Sequence, residues 1–137
     1  MKNRSELREV IMKVLYQVFL FQESKIDYQL KDLIHEQLEV ENQFVDDCIH
    51  GVLEHQEDIV KMANESLNDW KYNRLNKVDQ AILALGIYEL LYTDTPSIVC
   101  INEAIELSKQ YSDEAVTKMI NGVLDKIYHE VLKEDAK

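Results

Sequence analysis

The chain has 137 residues, 26 acids against 15 lysines and arginines, and a formal net charge of −11. That length suits one domain able to bury about two-thirds of its unfolded surface without disulfides or metal. The charge argues against non-specific adhesion to nucleic acid or an anionic membrane, since both rest on a positive field.

Three glycines and one proline leave little material for hairpins, and Leu, Ile, Glu, Lys, Gln and Ala dominate, which predicts an all-α fold. The first helix is expected to open at Ser5 as N-cap. Leu7, Ile11, Val14, Val18 and Phe21 then recur at spacings of four, three, four and three, forming one apolar stripe flanked at its start by Arg4 and Arg8. A second helix runs from about Asp27, marked by Leu30, Leu33, Ile34 and Leu38. A third starts near Asn42 and carries two apolar groups, from Phe44 to Leu53 and from Ile59 to Leu67, either straight or kinked between them. Its other face holds Asp46, Asp47, Glu54, Glu57 and Asp58, a pattern usual for a solvated surface.

From Val78 to Tyr92 the only charges are Asp79 and Glu89, so this helix should be buried on all sides. TDTP then offers Thr95 as a cap and Pro96 at the first position of the next helix, which runs through INEAIELSKQY. The last helix spans about Glu114 to Leu132, with Val116, Ile120, Val123, Leu124, Ile127 and Val131 inward.

The charge is segregated. Residues 1–22 carry a net +2, residues 23–70 a net −10, residues 71–80 a net +2, and the remainder −5. A basic face would therefore draw on the first helix and on the segment after Trp70. Cys48 and Cys100 lie within apolar helical patterns and form no CxxC pair, which suits buried thiols in a reducing compartment. The charged start MKNRSELREV lacks the core of a signal peptide, and no apolar run approaches the ~20 residues of a membrane span, so a cytoplasmic location is expected.

Two polar interruptions of apolar helices stand out, INEAIELSKQY and INGVLDKI. At ~100° per residue Asn102 projects about 40° from Ile98 and 60° from Ile105, which predicts an inward Asn102 and an outward Glu103. Asn121 falls at the edge of its apolar face, so both asparagines are expected to bond to neighbouring groups and fix helices together. Gly122 falls outward beside Lys118 and Asp125. A glycine there costs up to about 1 kcal/mol against alanine, and either a ligand or the other half of the molecule must approach that backbone closely.

Catalytic constellations are absent. Asp47, His50 and Glu54 offer metal-ligand types on one helix, but no second Glu-x-x-His completes a di-metal site. A helix-buried Cys100 beside Asn102 is inert as a nucleophile. No phosphate loop, nucleophile elbow or HExxH occurs, so neither an enzyme nor a cofactor nor a metal is expected. Among the aromatics, Tyr16 is the best candidate to stack on a base, because it lies off the apolar stripe and follows the basic start.

Taken together, REVIMKVLYQ, WKYNRLNKVDQAILALGIYELLY, PSIVCINEAIELSKQY and TKMINGVLDKI resemble the NusB family of bacterial transcription antitermination factors over nearly the whole chain. The resemblance implies an all-α bundle of about seven helices forming one domain, 1–137, in two packed sub-bundles, about 1–70 and 71–137. It implies a non-enzymatic protein that binds boxA-type single-stranded RNA of ribosomal RNA leader transcripts. Binding would occur with a NusE-like small-subunit ribosomal protein, within an RNA polymerase antitermination complex. By position, the family's arginine-rich start corresponds to Lys2, Arg4 and Arg8, and its LY pair to Leu15 and Tyr16. Its KFVNG corresponds to Lys118-Met119-Ile120-Asn121-Gly122, which makes Lys118, Met119 and Gly122 RNA-binding candidates. The acid that meets the NusE-like partner corresponds to Asp79. Met119 stands where the family has an aromatic. A helical interaction module with little RNA binding of its own is the alternative, and both a monomer and a homodimer that hides its RNA face fit the sequence.

Overall fold

A computed structural model describes residues 1–132. It comprises α1 (Arg4–Ser24), α2 (Leu30–Gln37), α3 (Gln43–Glu54), α4 (Gln56–Ser66), a 3₁₀ turn (Tyr72–Arg74), α5 (Lys77–Tyr92), α6 (Ser97–Tyr111), α7 (Glu114–Ile127) and a π-helical turn (Tyr128–Leu132). No strand occurs among the described residues, and none of their helices is long and apolar enough to cross a membrane.

The expected all-round burial of α5 holds: every residue from Asp79 to Leu90 is buried. This helix is the axis of the fold, packed against α1, α3, α4, α6 and α7. Small residues set how closely its neighbours approach. A methyl group on Gly86 would lie 3.0 Å from Leu124 Cδ1 and 3.4 Å from Ala104 Cβ, so α6 and α7 close onto α5 at the same glycine. Gly51 on α3 serves the same purpose for the Tyr88 ring, which occupies the space a side chain would need. The Tyr88 hydroxyl reaches the Asp47 carbonyl at 3.4 Å.

The third expected helix is two. His55 ends α3 and opens α4 with φ −101° and ψ 17°, and its ring stacks on Tyr92 at 4.0 Å between centroids. The chain thus bends around the C-terminal end of α5.

Several boundaries differ from expectation. The cap of α1 is Asn3 rather than Ser5: its side-chain oxygen accepts from the Glu6 N–H at 2.9 Å, while Glu6 accepts from the Asn3 N–H at 3.0 Å. Two donors that would otherwise be orphaned are satisfied reciprocally, so the first turn is held firmly. Pro96 is the N-cap of α6, one position before the expected place. α2 begins at Leu30, and α7 gives way at Tyr128 to the π-helical turn.

Candidate nucleic-acid and partner interface

The first turn of α1 is tied to three other helices. Arg8, expected on a phosphate, is instead only 4% exposed. Its Nε and Nη2 donate to Glu89 Oε1 and Oε2 at 2.7 and 2.9 Å, a bidentate pair between α1 and α5, and Glu103 of α6 lies 3.6 Å from Nη1. Burial alone would lower the Arg8 pKa, but the hydrogen bond and charge of Glu89, with Glu103 behind, carry it upward. The guanidinium stays charged because Glu89, 2% exposed, would otherwise be an unpaired carboxylate in an apolar helix. Glu103 also accepts from Ser5 Oγ at 2.7 Å. Arg8 is committed to the fold: two of its nitrogens bond to Glu89 and the third faces Glu103.

Arg4, one turn earlier, is exposed, and its Cζ stands 3.9 Å from the centroid of the Phe44 ring on α3. Lys2 is exposed just before the cap. A groove of about 740 Å³ is lined by Arg4, Arg8, Phe44, His50, His55 and Tyr92, and also by the acids Asp47, Glu54 and Asp94.

On α6 the expected orientation is reversed. The buried stripe is Cys100, Ala104, Leu107 and Ser108. Asn102 lies about 160° around the helix from both Cys100 and Ala104, and it is exposed, as is Ile98 at 70%. Glu103, about 40° from Leu107, is the residue that turns inward. Ile98 is the more hydrophobic guide to an inner face, but close helix packing selects the small side chains instead. Asn121 is exposed as well.

Gly122 does face outward, and a methyl group built on it meets no heavy atom within 4 Å. Of the two explanations for this glycine, contact with the other half of the molecule is therefore removed. Lys118 stands exposed one turn away, with only a loose 3.8 Å approach to Glu114. Met119, expected in place of a base-stacking aromatic, is 8% exposed and packs into the core. Among the described residues no hydrogen bond or ion pair joins Lys118 to the α1 start, but α6 touches both groups' helices, through Ser5–Glu103 and through its packing on α7.

Asp79 and Tyr16 lie at the start of α5, whereas the α1 start pairs with Glu89 near its other end. Asp79 is 4% exposed, its backbone N–H capped by Asn76 Oδ1 at 2.9 Å and its carboxylate accepting from the Ser112 hydroxyl. Burial pushes its carboxyl above the usual range; the Ser112 hydrogen bond pulls it back, and the Asp113 carboxylate adds to the rise. Tyr16 is half-buried in a cleft with Leu20, Asn73, Asn76, Lys77 and Val78. It therefore shares its surroundings with the start of α5 and not with Arg4.

Both thiols are buried, and burial pushes each up to about 12. At neutral pH neither supplies a thiolate. Sequence alone assigned no site role to Phe44 or Glu89, and it placed Glu103 outward, whereas the structure turns it toward Arg8. A lone acid in an otherwise apolar helix was the available signal for Glu89; nothing local marked Phe44, whose contact spans two helices.

The NusB family model matches residues 5–129. The transcription antitermination protein NusB of Bacillus subtilis (strain 168) is 38% identical over 134 residues, covering 96% of this chain and 98% of that protein. The structure of T. maritima NusB superposes with a TM-score of 0.80 at 32% identity, over 94% of this chain and 92% of its own. A chain from the crystal structure of antitermination factors NusB and NusE in complex with dsRNA gives 0.77 at 25% identity, covering 92% and 96%.

Proposed function

The chain belongs to the NusB family, and from that premise we propose that it is a transcription antitermination factor that binds boxA-type RNA of ribosomal RNA leader transcripts. It does so together with a NusE-like ribosomal protein, within an RNA polymerase antitermination complex in the cytoplasm, and it performs no catalysis. The two sub-bundles, meeting on α5, act as one unit.

The observation that carries the RNA-facing assignment is Gly122, an exposed helix glycine with open space above it and an exposed Lys118, only loosely paired with Glu114, beside it. Glycine there gives up helix stability, and close approach of a nucleic-acid backbone is what repays it. Lys2, Arg4 and Lys118 are the phosphate contacts. Arg8 and Met119 support that surface from inside. Tyr16 and Asp79 form the partner-facing side: Asp79 holds a buried carboxylate with one hydroxyl donor, leaving acceptor capacity for a basic group.

With so few free cations on a −11 chain, RNA binding alone is weak and the partner strengthens it. Titrating a boxA-like single strand with and without the NusE-like protein checks this, with a clear gain in affinity expected on adding the partner. Tight binding that the partner leaves unchanged contradicts the joint mechanism. The loss of Arg8 to Glu89 favours the second reading, a helical interaction module, and absence of RNA binding in both arms would select it.

A further inference from the structure

Resting on the RNA-binding reading above, we propose that Phe44 is a positioning residue for RNA recognition: its ring holds the Arg4 guanidinium, exposed where both line the α1–α3–α5 groove, ready for a phosphate. Phe44 is the second residue of α3, and its place is fixed by the Asn42 cap, whose side-chain oxygen accepts from the Val45 N–H at 3.1 Å. The ring is half-buried against the core. Arg4 Cζ lies 3.9 Å from its centroid and Arg8 Cζ 5.3 Å. Arg8 is locked by Glu89, so the ring rests against one immobile cation and holds a second, exposed one.

The manner of holding matters. An arginine fixed by a carboxylate spends its N–H donors on that partner, as Arg8 does. Among the described residues no carboxylate pairs with Arg4. An aromatic face attracts the cation through its quadrupole and leaves the in-plane N–H donors free for a phosphate fork. The α1 start is likewise restrained by the Asn3–Glu6 capping box and by Ser5–Glu103, so Arg4 is presented on a rigid turn. Conformational freedom that would otherwise be lost on binding is thereby given up in advance.

The test uses the full chain with the NusE-like protein and a boxA-like single strand as the probe, comparing Phe44→Leu, Phe44→Met, Phe44→Trp, Arg4→Ala and the double variant Arg4→Ala/Phe44→Leu. Leu and Met keep apolar bulk and remove the ring face, and thermal midpoints identify any variant whose fold has suffered. Phe44→Leu and Phe44→Met are expected to weaken RNA binding about two- to fivefold, the range of an exposed cation–π contact. Phe44→Trp should retain affinity, and Phe44→Leu should have no further effect once Arg4 is alanine. A loss of equal size with and without Arg4 would overturn the proposal, assigning Phe44 to direct base contact or to fold alone. Unchanged affinity in Phe44→Leu and Phe44→Met, with Arg4→Ala still weakened, would also overturn it while leaving the RNA-binding reading intact. If the parent chain binds no RNA with its partner, that reading fails and takes the proposal with it.

Discussion

The first turn of α1 and the outer faces of α6 and α7 both carry polar residues next to apolar stripes, and the fold treats them in opposite ways. At the α1 start, polar groups are consumed: Arg8 by Glu89 and Glu103, Ser5 by Glu103, Asn3 by Glu6. On α6 and α7, Asn102, Lys118, Asn121 and Gly122 are left exposed, and Gly122 has nothing above it. A buried polar group must be satisfied internally, and Arg8, held between two carboxylates, has little left for a ligand. An exposed one with no internal duty keeps its donors for a ligand. Residue type alone does not separate the two cases, as Arg4 and Arg8 demonstrate one turn apart on the same helix.

The sharpest break in this comparison is Glu89→Ala. It strands a buried guanidinium, and removing one partner of such a pair costs about 3–5 kcal/mol; chemical denaturation should register a loss at the lower end, since Glu103 stands 3.6 Å from Arg8 as a second partner. A next, smaller effect falls on the partner side. Asp79→Asn should weaken the complex with the NusE-like protein by about 1.5–3 kcal/mol, the value of a charge-assisted hydrogen bond, as measured by calorimetry. The free protein should respond oppositely. Because burial raises the folded Asp79 pKa, the stability linked to its proton is fully present below the unfolded carboxylate value of about 3.9 and is lost as pH rises through the folded value. The amide of the Asp79→Asn variant does not titrate and has no such loss, so the variant's relative stability should rise from about pH 4 upward; a flat difference between the two proteins would contradict this. The smallest effect belongs to Gly122→Ala, which should stabilise the free chain by up to about 1 kcal/mol while weakening RNA binding. Unchanged RNA affinity would show that no ligand needs the bare backbone.

Periodicity made most of the fold legible. The α1 stripe, the all-buried α5 and the N-terminal start of α7 follow from the spacing of apolar residues, because burial of one face dominates helix placement. The α3–α4 break falls between the two apolar groups, where a kink was one of two readings. Its position at His55 did not follow, since there His55 meets Tyr92 from another helix. The inner face of α6 was not legible because Ile98 outweighs Cys100, Ala104 and Ser108 in hydrophobicity, yet close packing at Gly86 favours small side chains. At the candidate site, Gly122's outward position was readable from helical geometry. The burial of Arg8 was not, because pairing across 81 residues leaves no local pattern.

The central claim, that Arg4 meets RNA while Arg8 serves the fold, is tested most directly by the salt dependence of RNA binding in the presence of the NusE-like protein. With Lys2, Arg4 and Lys118 as contacts, log K against log salt should slope near −2, at about −0.7 per phosphate neutralised on a single strand. Arg4→Ala should make that slope shallower by about 0.7. The apolar double variant Arg8→Met/Glu89→Leu, which removes the buried pair without stranding a charge, should leave it unchanged. A slope that Arg4→Ala does not alter, or that flattens when the Arg8–Glu89 pair is replaced, would contradict the account.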